Sequence, residues 1–476
     1  MNSFSSISAW SLISIITVLL VAMLVGNMLK KSIKVLNNSL IPTSVIGGLL
    51  ILVVSIAYEA IFKVPLFNTT FFGGTNSEYD SSKLSILEVL TYHCLALGTI
   101  AVALKNSNQK LDKKRSGEIF DSGITTVATY LMQGFLGLLI TVVIALIIPT
   151  IFAASGIILP FGYGQGTGQA LNYGGIFEND YGFTGGRSFG LTIAALGFLS
   201  ASIGGVIHLI FIQKKGLRNK ADIESSNVLT LKEIQGEDEV SLYGSIEKLT
   251  IQVCFILITY IITFIIMKGI SALAPGMETT IFGFNFLFGV LVATLLKVVL
   301  KFFKKKRMMK KEYVNNFMMD RLSGFFFDLM VTAGIAAIRI DILQNYWWII
   351  LVLGLVGAFT TFYYNRFIAR KLFPEYSEEQ FLVMYGMLTG TASTGIILLR
   401  EIDPEYKTHA MNNMVFQQLP AILFGFPMMI LATLAPKNPY LVLGIVFGYF
   451  VVLNIVLFRK FIFKKKKPTE SVKATE

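Results

Sequence analysis

Charge is scarce in this 476-residue sequence. Only 15% of its residues are Asp, Glu, Lys or Arg, against about 25% in soluble domains. That shortage excludes a soluble globular enzyme and a disordered chain. Cysteine is nearly absent: Cys94 and Cys254 both fall within apolar runs, which excludes a disulfide scaffold. His93, His208 and His409 are far apart and no HExxH occurs, so no zinc-binding helix is signalled. No basic stretch precedes the first apolar run, and Lys30, Lys31 and Lys34 follow it. The N-terminus therefore reads as a first span rather than a signal peptide. What is abundant points one way. The chain is 54% hydrophobic, with 39 Phe and 41 Gly, and its long apolar runs predict an all-α polytopic membrane protein. The net charge of +12 is then read as basic loops kept in the cytoplasm, not as a nucleic-acid surface.

Eleven segments are long and apolar enough to cross: approximately 9–29, 41–62, 84–104, 125–148, 189–212, 249–270, 281–300, 323–342, 347–369, 415–434 and 440–461. Two further segments, 149–177 and 381–399, are glycine-rich and could be spans or re-entrant hairpins. Charge decides between the two. With both as hairpins and the N-terminus outside, the cytoplasmic loops and adjoining span ends carry 34 Lys plus Arg and the outer loops 4. Making only the second a crossing puts the basic tail 459–476 outside. Making only the first a crossing does the same to the loop 301–311. Both outcomes oppose the positive-inside rule. The expectation is a first five-span repeat over 1–212, a cytoplasmic linker over 213–248, a second five-span repeat over 249–434, and an extra span with a basic cytoplasmic tail over 435–476. Five is odd, so the second repeat is inverted relative to the first.

The hairpin segments are the strongest candidates for chemistry. Irregular backbone at membrane depth survives only where it is buried in protein or lines a wet cavity. In the first, Gly164, Gln165, Gly166, Thr167, Gly168, Gln169 and Asn172 combine close backbone approach with neutral donors and acceptors. In the second, Gly390, Thr391, Ser393, Thr394 and Gly395 do the same. Two such segments in corresponding positions of inverted halves point to a midplane site for a small anionic substrate. Hydroxyls of Thr167, Thr391 and Thr394 suit a small hard cation such as sodium. Asp328 and Arg339 fall within the eighth predicted span, where ionised groups usually face the protein interior. Asp328 could add a cation ligand, and Arg339 could hold a carboxylate through its paired donors. Gln417, Gln418 and Pro420 interrupt the tenth span.

At these motifs the sequence resembles the bacterial sodium/glutamate symporter family. Ile41-Pro42 followed by Gly47-Gly48-Leu49-Leu50 resembles the family's I-P-x-x-x-x-G-G-L-L. Gly98 and its successors resemble the close of the third span. The stretch from Gly164 to Ala170, with Tyr181-Gly182-Phe183-Thr184 beyond, resembles G-G-H-G-T-G-A-A and Y-G-F-T. The TGTASTG segment stands where the family has its second loop, and Arg339 where a basic residue is similarly placed. The resemblance implies a homodimeric secondary transporter of the inner (plasma) membrane, with sodium as coupling ion and no other cofactor, taking up glutamate by alternating access. This sequence departs from the pattern at Gln165, which replaces a histidine, and in a second loop without the G-x-G-x-x-x-P character. Asp328 and the eleventh span look additional. The rival readings are a sodium-coupled carrier of a hydroxy- or dicarboxylate, an intramembrane enzyme seeded on His93 or Asp328, and a channel.

Overall fold

The computed structural model describes residues 7–75, 84–105, 113–214, 246–309, 311–403 and 406–462. Most of the expected linker 213–248 and the tail beyond 462 lie outside the described residues. The described chain is helical, without strands. Its principal helices are α1 (Ile7–Ser32), α2 (Thr43–Phe62), α3 (Ile86–Leu104), α4 (Lys113–Ile147), α5 (Leu159–Tyr181), α6 (Gly186–Lys214), α7 (Lys248–Leu273), α8 (Asn285–Lys305), α9 (Asn316–Ala336) and α10 (Trp347–Leu372). After them come α11 (Ser377–Thr389), α12 (Ala392–Arg400), α13 (Ala410–Phe416), α14 (Gln418–Leu434) and α15 (Pro439–Leu457).

Nine helices among the described residues are long and apolar enough to cross a membrane, or ten if α13 and α14 form one span bent by 52°. This is fewer than the eleven expected. The difference is α9, which carries Asp320, Arg321 and Asp328 and so falls short on apolar length. It is nonetheless a core helix, buried from Leu329 to Ala336. The bend between α13 and α14 falls at Gln417, within the predicted polar interruption. At α4 the helix begins twelve residues before the expected span. Its added turns carry Glu118, Asp121 and Ser122, which meet Tyr376, Arg459 and Gln380 of later segments.

Local sequence accounts for several boundaries. Ser85 and Glu88 close a capping box at the start of α3, satisfying two of the free first-turn donors. Asn438 caps α15 and Pro439 opens it, where the missing N–H costs nothing. Many large apolar side chains on α1, α7 and α15 remain exposed, among them Trp10, Leu24, Ile261, Ile265, Leu441 and Val452. Such surface is stable only against lipid or protein.

Both glycine-rich segments are helical hairpins. In the first, α5 breaks at Gly166 (φ 79, ψ −172). Phe161 and Tyr173, on either side of the break, stack at 3.7 Å. In a straight helix they would stand about 18 Å apart, so the chain reverses at Gly166. In the second, α11 and α12 pack side by side, and a Cβ on Gly386 would lie 2.7 Å from the Cα of Gly395.

Helix α4 shows how the hairpins are oriented. From its N-terminus it meets the second hairpin: Lys114 with Glu375, Glu118 with Tyr376, Ser122 with Gln380, then Gln133 with Leu388. Toward its C-terminus it meets the first: Tyr130 with Gly164, Gly137 against Gly156, and Thr141 with Ala153. Helix α6 repeats this in reverse order, from Gly186 against Gly174 to His208 with Glu378. The hairpins therefore enter from opposite ends of the bundle and meet near its middle.

Candidate substrate and ion site

The two tips converge. A Cβ built on Gly166 would lie 3.6 Å from Thr391 Cγ2 and 3.9 Å from the Gly390 carbonyl oxygen. Gly166 has a backbone conformation essentially confined to glycine, and that conformation turns the chain. Thr391 turns the second tip as the N-cap of α12, its hydroxyl accepting from the Thr394 N–H at 3.5 Å and standing 3.3 Å from Thr394 Oγ1. Thr167 and Thr394 are fully buried, while Gln165 and Thr391 are half-buried. Thr167 Oγ1 donates to the Met330 carbonyl at 3.4 Å, which ties the first tip to α9.

Each returning arm is a helix that begins at the tip, so first-turn N–H groups of both arms lie near one region, that of Thr394 being capped by Thr391. Helix N-termini carry partial positive charge and accommodate anions. Hydroxyl and carbonyl oxygens stand beside them. This pairing of fields can hold a carboxylate-bearing substrate and a hard cation together.

The predicted residues separate into groups. Gly166, Thr167, Gly390, Thr391 and Thr394 are brought together at the tips. Gln169 is buried just behind them. Gly164, Gly168 and Gly395 serve packing: their Cβ atoms would meet Tyr130 at 2.1 Å, Leu95 at 2.9 Å and the Val383 carbonyl at 2.5 Å. Ser393 is exposed. Asn172 is anchored away from the tips, donating to the Gly283 carbonyl at 2.9 Å.

The two charged candidates are not delivered to the tips. Arg339 lies beyond the end of α9 rather than inside a span. Its guanidinium pairs with Asp341 at 2.6 Å, and its N–H donates to Ser188 near the start of α6. This is the open end of the first hairpin. Asp328 is exposed, one turn before Thr332, which donates to the Ser44 carbonyl of α2. Met330, which meets Thr167, is two residues or about 200° round the helix, so Asp328 faces away.

Sequence reasoning missed Gln133. Its Nε2 donates to Thr361 Oγ1 at 2.8 Å and to the Leu388 carbonyl at 3.0 Å, tying α4 and α10 to the second tip. The signal was there: Thr125, Thr129 and Gln133 recur every four residues in an otherwise apolar run, one polar stripe on one helix face.

The hairpins are anchored at their open ends. Arg187 holds Glu178 and Asn179 at the first. At the second, His208 and Glu378 approach to 2.5 Å, with Arg370 also on Glu378. The hydrogen bond from His208 holds the Glu378 carboxyl below the ordinary carboxylate range.

Opposed broken-helix hairpins meeting within a helical bundle define a membrane protein of the secondary-carrier type. Residues 9–376 match the sodium/glutamate symporter family, and the chain belongs to that family. It is a transporter family coupled to sodium. The match ends one residue before α11, so the second hairpin's part in the site rests on geometry. The comparison with curated proteins gives no match.

Proposed function

We propose that this protein takes up glutamate together with sodium by alternating access around the hairpin tips. The observation that carries the proposal is the meeting of Gly166 with Gly390 and Thr391, residues more than two hundred positions apart in the chain. The substrate carboxylates rest on the first-turn N–H groups of the two returning arms. Sodium takes oxygens from Thr167, Thr391, Thr394 and neighbouring carbonyls, the hard ligands it favours. Movement of the hairpins relative to the rest of the bundle then exposes the tips to one side at a time.

The remaining expectations belong to this proposal. The chain forms two inverted five-span repeats joined at 213–248, works as a homodimer in the inner (plasma) membrane, and keeps its N-terminus outside and its basic tail in the cytoplasm. Uptake of radiolabelled glutamate into proteoliposomes, with and without a sodium gradient, tests the function. Aspartate, malate and citrate serve as competitors. Sodium-independent uptake refutes the coupling, and displacement by citrate or malate in preference to aspartate makes the substrate a hydroxy- or polycarboxylate.

A further inference from the structure

Gln169 lies three residues past the reversal at Gly166 and is 1% exposed. Neither its Oε1 nor its Nε2 has a hydrogen-bond partner among the described residues. Its polar neighbours in the hairpin are satisfied: Tyr163 donates to the Gly354 carbonyl, Asn172 to Gly283 and Tyr173 to Met429. A buried amide open at both ends is costly, because it forgoes water at donor and acceptor alike.

The hairpin's own geometry sets the direction in which this amide points. Gln169 and Tyr173 are four residues apart and so share a face of the returning arm. Tyr173 stacks on Phe161 of the descending arm. One helical turn toward the tip on each arm leads from Tyr173 to Gln169 and from Phe161 to Gln165. By this helical spacing Gln165 and Gln169 each stand one turn nearer the tip than the stacked pair. Gln165 is half-buried, so it, unlike Gln169, is partly accessible.

We infer that Gln169 is the selectivity residue for the substrate's amino group, assisted by Gln165. This rests on the symport reading above and specifies what the site recognises. An open amide presents a donor and an acceptor side by side. The complementary ligand is an amino-acid head, whose ammonium donates to Oε1 and whose carboxylate accepts from Nε2. A polycarboxylate without an ammonium offers acceptors only and leaves Oε1 facing negative oxygen. The residue thereby selects amino acids over dicarboxylates of the same length, as a site built to hydrogen-bond a group rejects the analogue that lacks it.

Glutarate is glutamate without the amino group and is the probe to compare with it. Full-length protein in nanodiscs is titrated calorimetrically with each, in saturating sodium. Wild type should prefer glutamate. Gln169→Met keeps the length and volume of the side chain and removes the amide. It should weaken glutamate by roughly ten- to a hundredfold while leaving glutarate nearly unchanged, so the preference collapses. Gln165→Met should give the same pattern, smaller, and serves if the first variant does not melt cooperatively. Unchanged glutamate affinity in both variants overturns the inference. An equal loss for both ligands also overturns it, because the amide then only positions the hairpin. If wild type binds no glutamate in the presence of sodium, the symport reading itself fails and this inference with it.

Discussion

The most discriminating perturbation is a single methyl group on Gly166. Alanine there meets no obstacle, since its nearest neighbours would be Thr391 Cγ2 at 3.6 Å and the Gly390 carbonyl oxygen at 3.9 Å. The whole penalty is conformational, from φ 79 with ψ −172. Strain of this kind costs about 1–3 kcal/mol, or about 5–150-fold in the population of the reversed tip. Asparagine should not rescue, because the left-handed region it tolerates has ψ near about +47°. Gly168 provides the contrast. Its φ is not positive, but its Cβ would lie 2.9 Å from both Cβ and Cδ2 of Leu95. Changing Leu95 to glycine, which removes the Cβ as well as the Cδ atoms, should therefore soften Gly168→Ala, with a coupling of roughly 0.5–3 kcal/mol, and leave the cost of Gly166→Ala unaltered. Thermal melting of the purified protein, with sodium-dependent glutamate affinity from calorimetry, reads both quantities. A Gly166→Ala protein with wild-type melting and wild-type affinity would show that the reversal is not held by this backbone, and the reasoning would fail. So would relief of Gly166→Ala by the Leu95 change.

Removing the Thr167 or Thr394 hydroxyl should weaken sodium or glutamate binding by roughly fivefold or more in protein that still melts cooperatively; wild-type affinities in both would reduce the tips to packing elements. Glu378→Gln should lower melting stability by about 1–3 kcal/mol at pH 7, since His208 holds that carboxyl below its usual range. A depressed carboxylate stabilises above its unfolded value and loses this as pH falls through the folded one, so wild type and variant should converge below about pH 4.5; a pH-independent gap would refute the assignment. For coupling, at least two sodium ions per glutamate monoanion bring in net positive charge, each charge worth about 2.3 kcal/mol per 100 mV. A potassium diffusion potential, negative inside, should then accelerate uptake; insensitivity to it would mean one-to-one coupling.

Much of this architecture is legible in one dimension because its causes are local. Apolar runs longer than the bilayer core mark helices wherever they occur, and glycine clusters within them mark reversals, since few other residues reach the φ of Gly166. Both hairpins were visible on these grounds, and the polar residues Gln417, Gln418 and Pro420 marked an interruption where the structure bends. Charge blurred the picture at α9, where exposed Asp320, Arg321 and Asp328 precede a half that is buried from Leu329 to Ala336. The meeting of the tips was not legible. Gly166 and Thr391 are joined only through the packing of both hairpins along α4 and α6, and no local preference encodes a contact across 225 positions. Helix phase set the fate of the charged candidates. Two residues of offset turn Asp328 away from Thr167, which Met330 meets, and an early end to α9 leaves Arg339 with Asp341. Composition could place polar groups in the membrane, but only the folded bundle could decide which of them find a partner, as Gln133 Nε2 does on Thr361 and Leu388, and which stay open, as both ends of the Gln169 amide do.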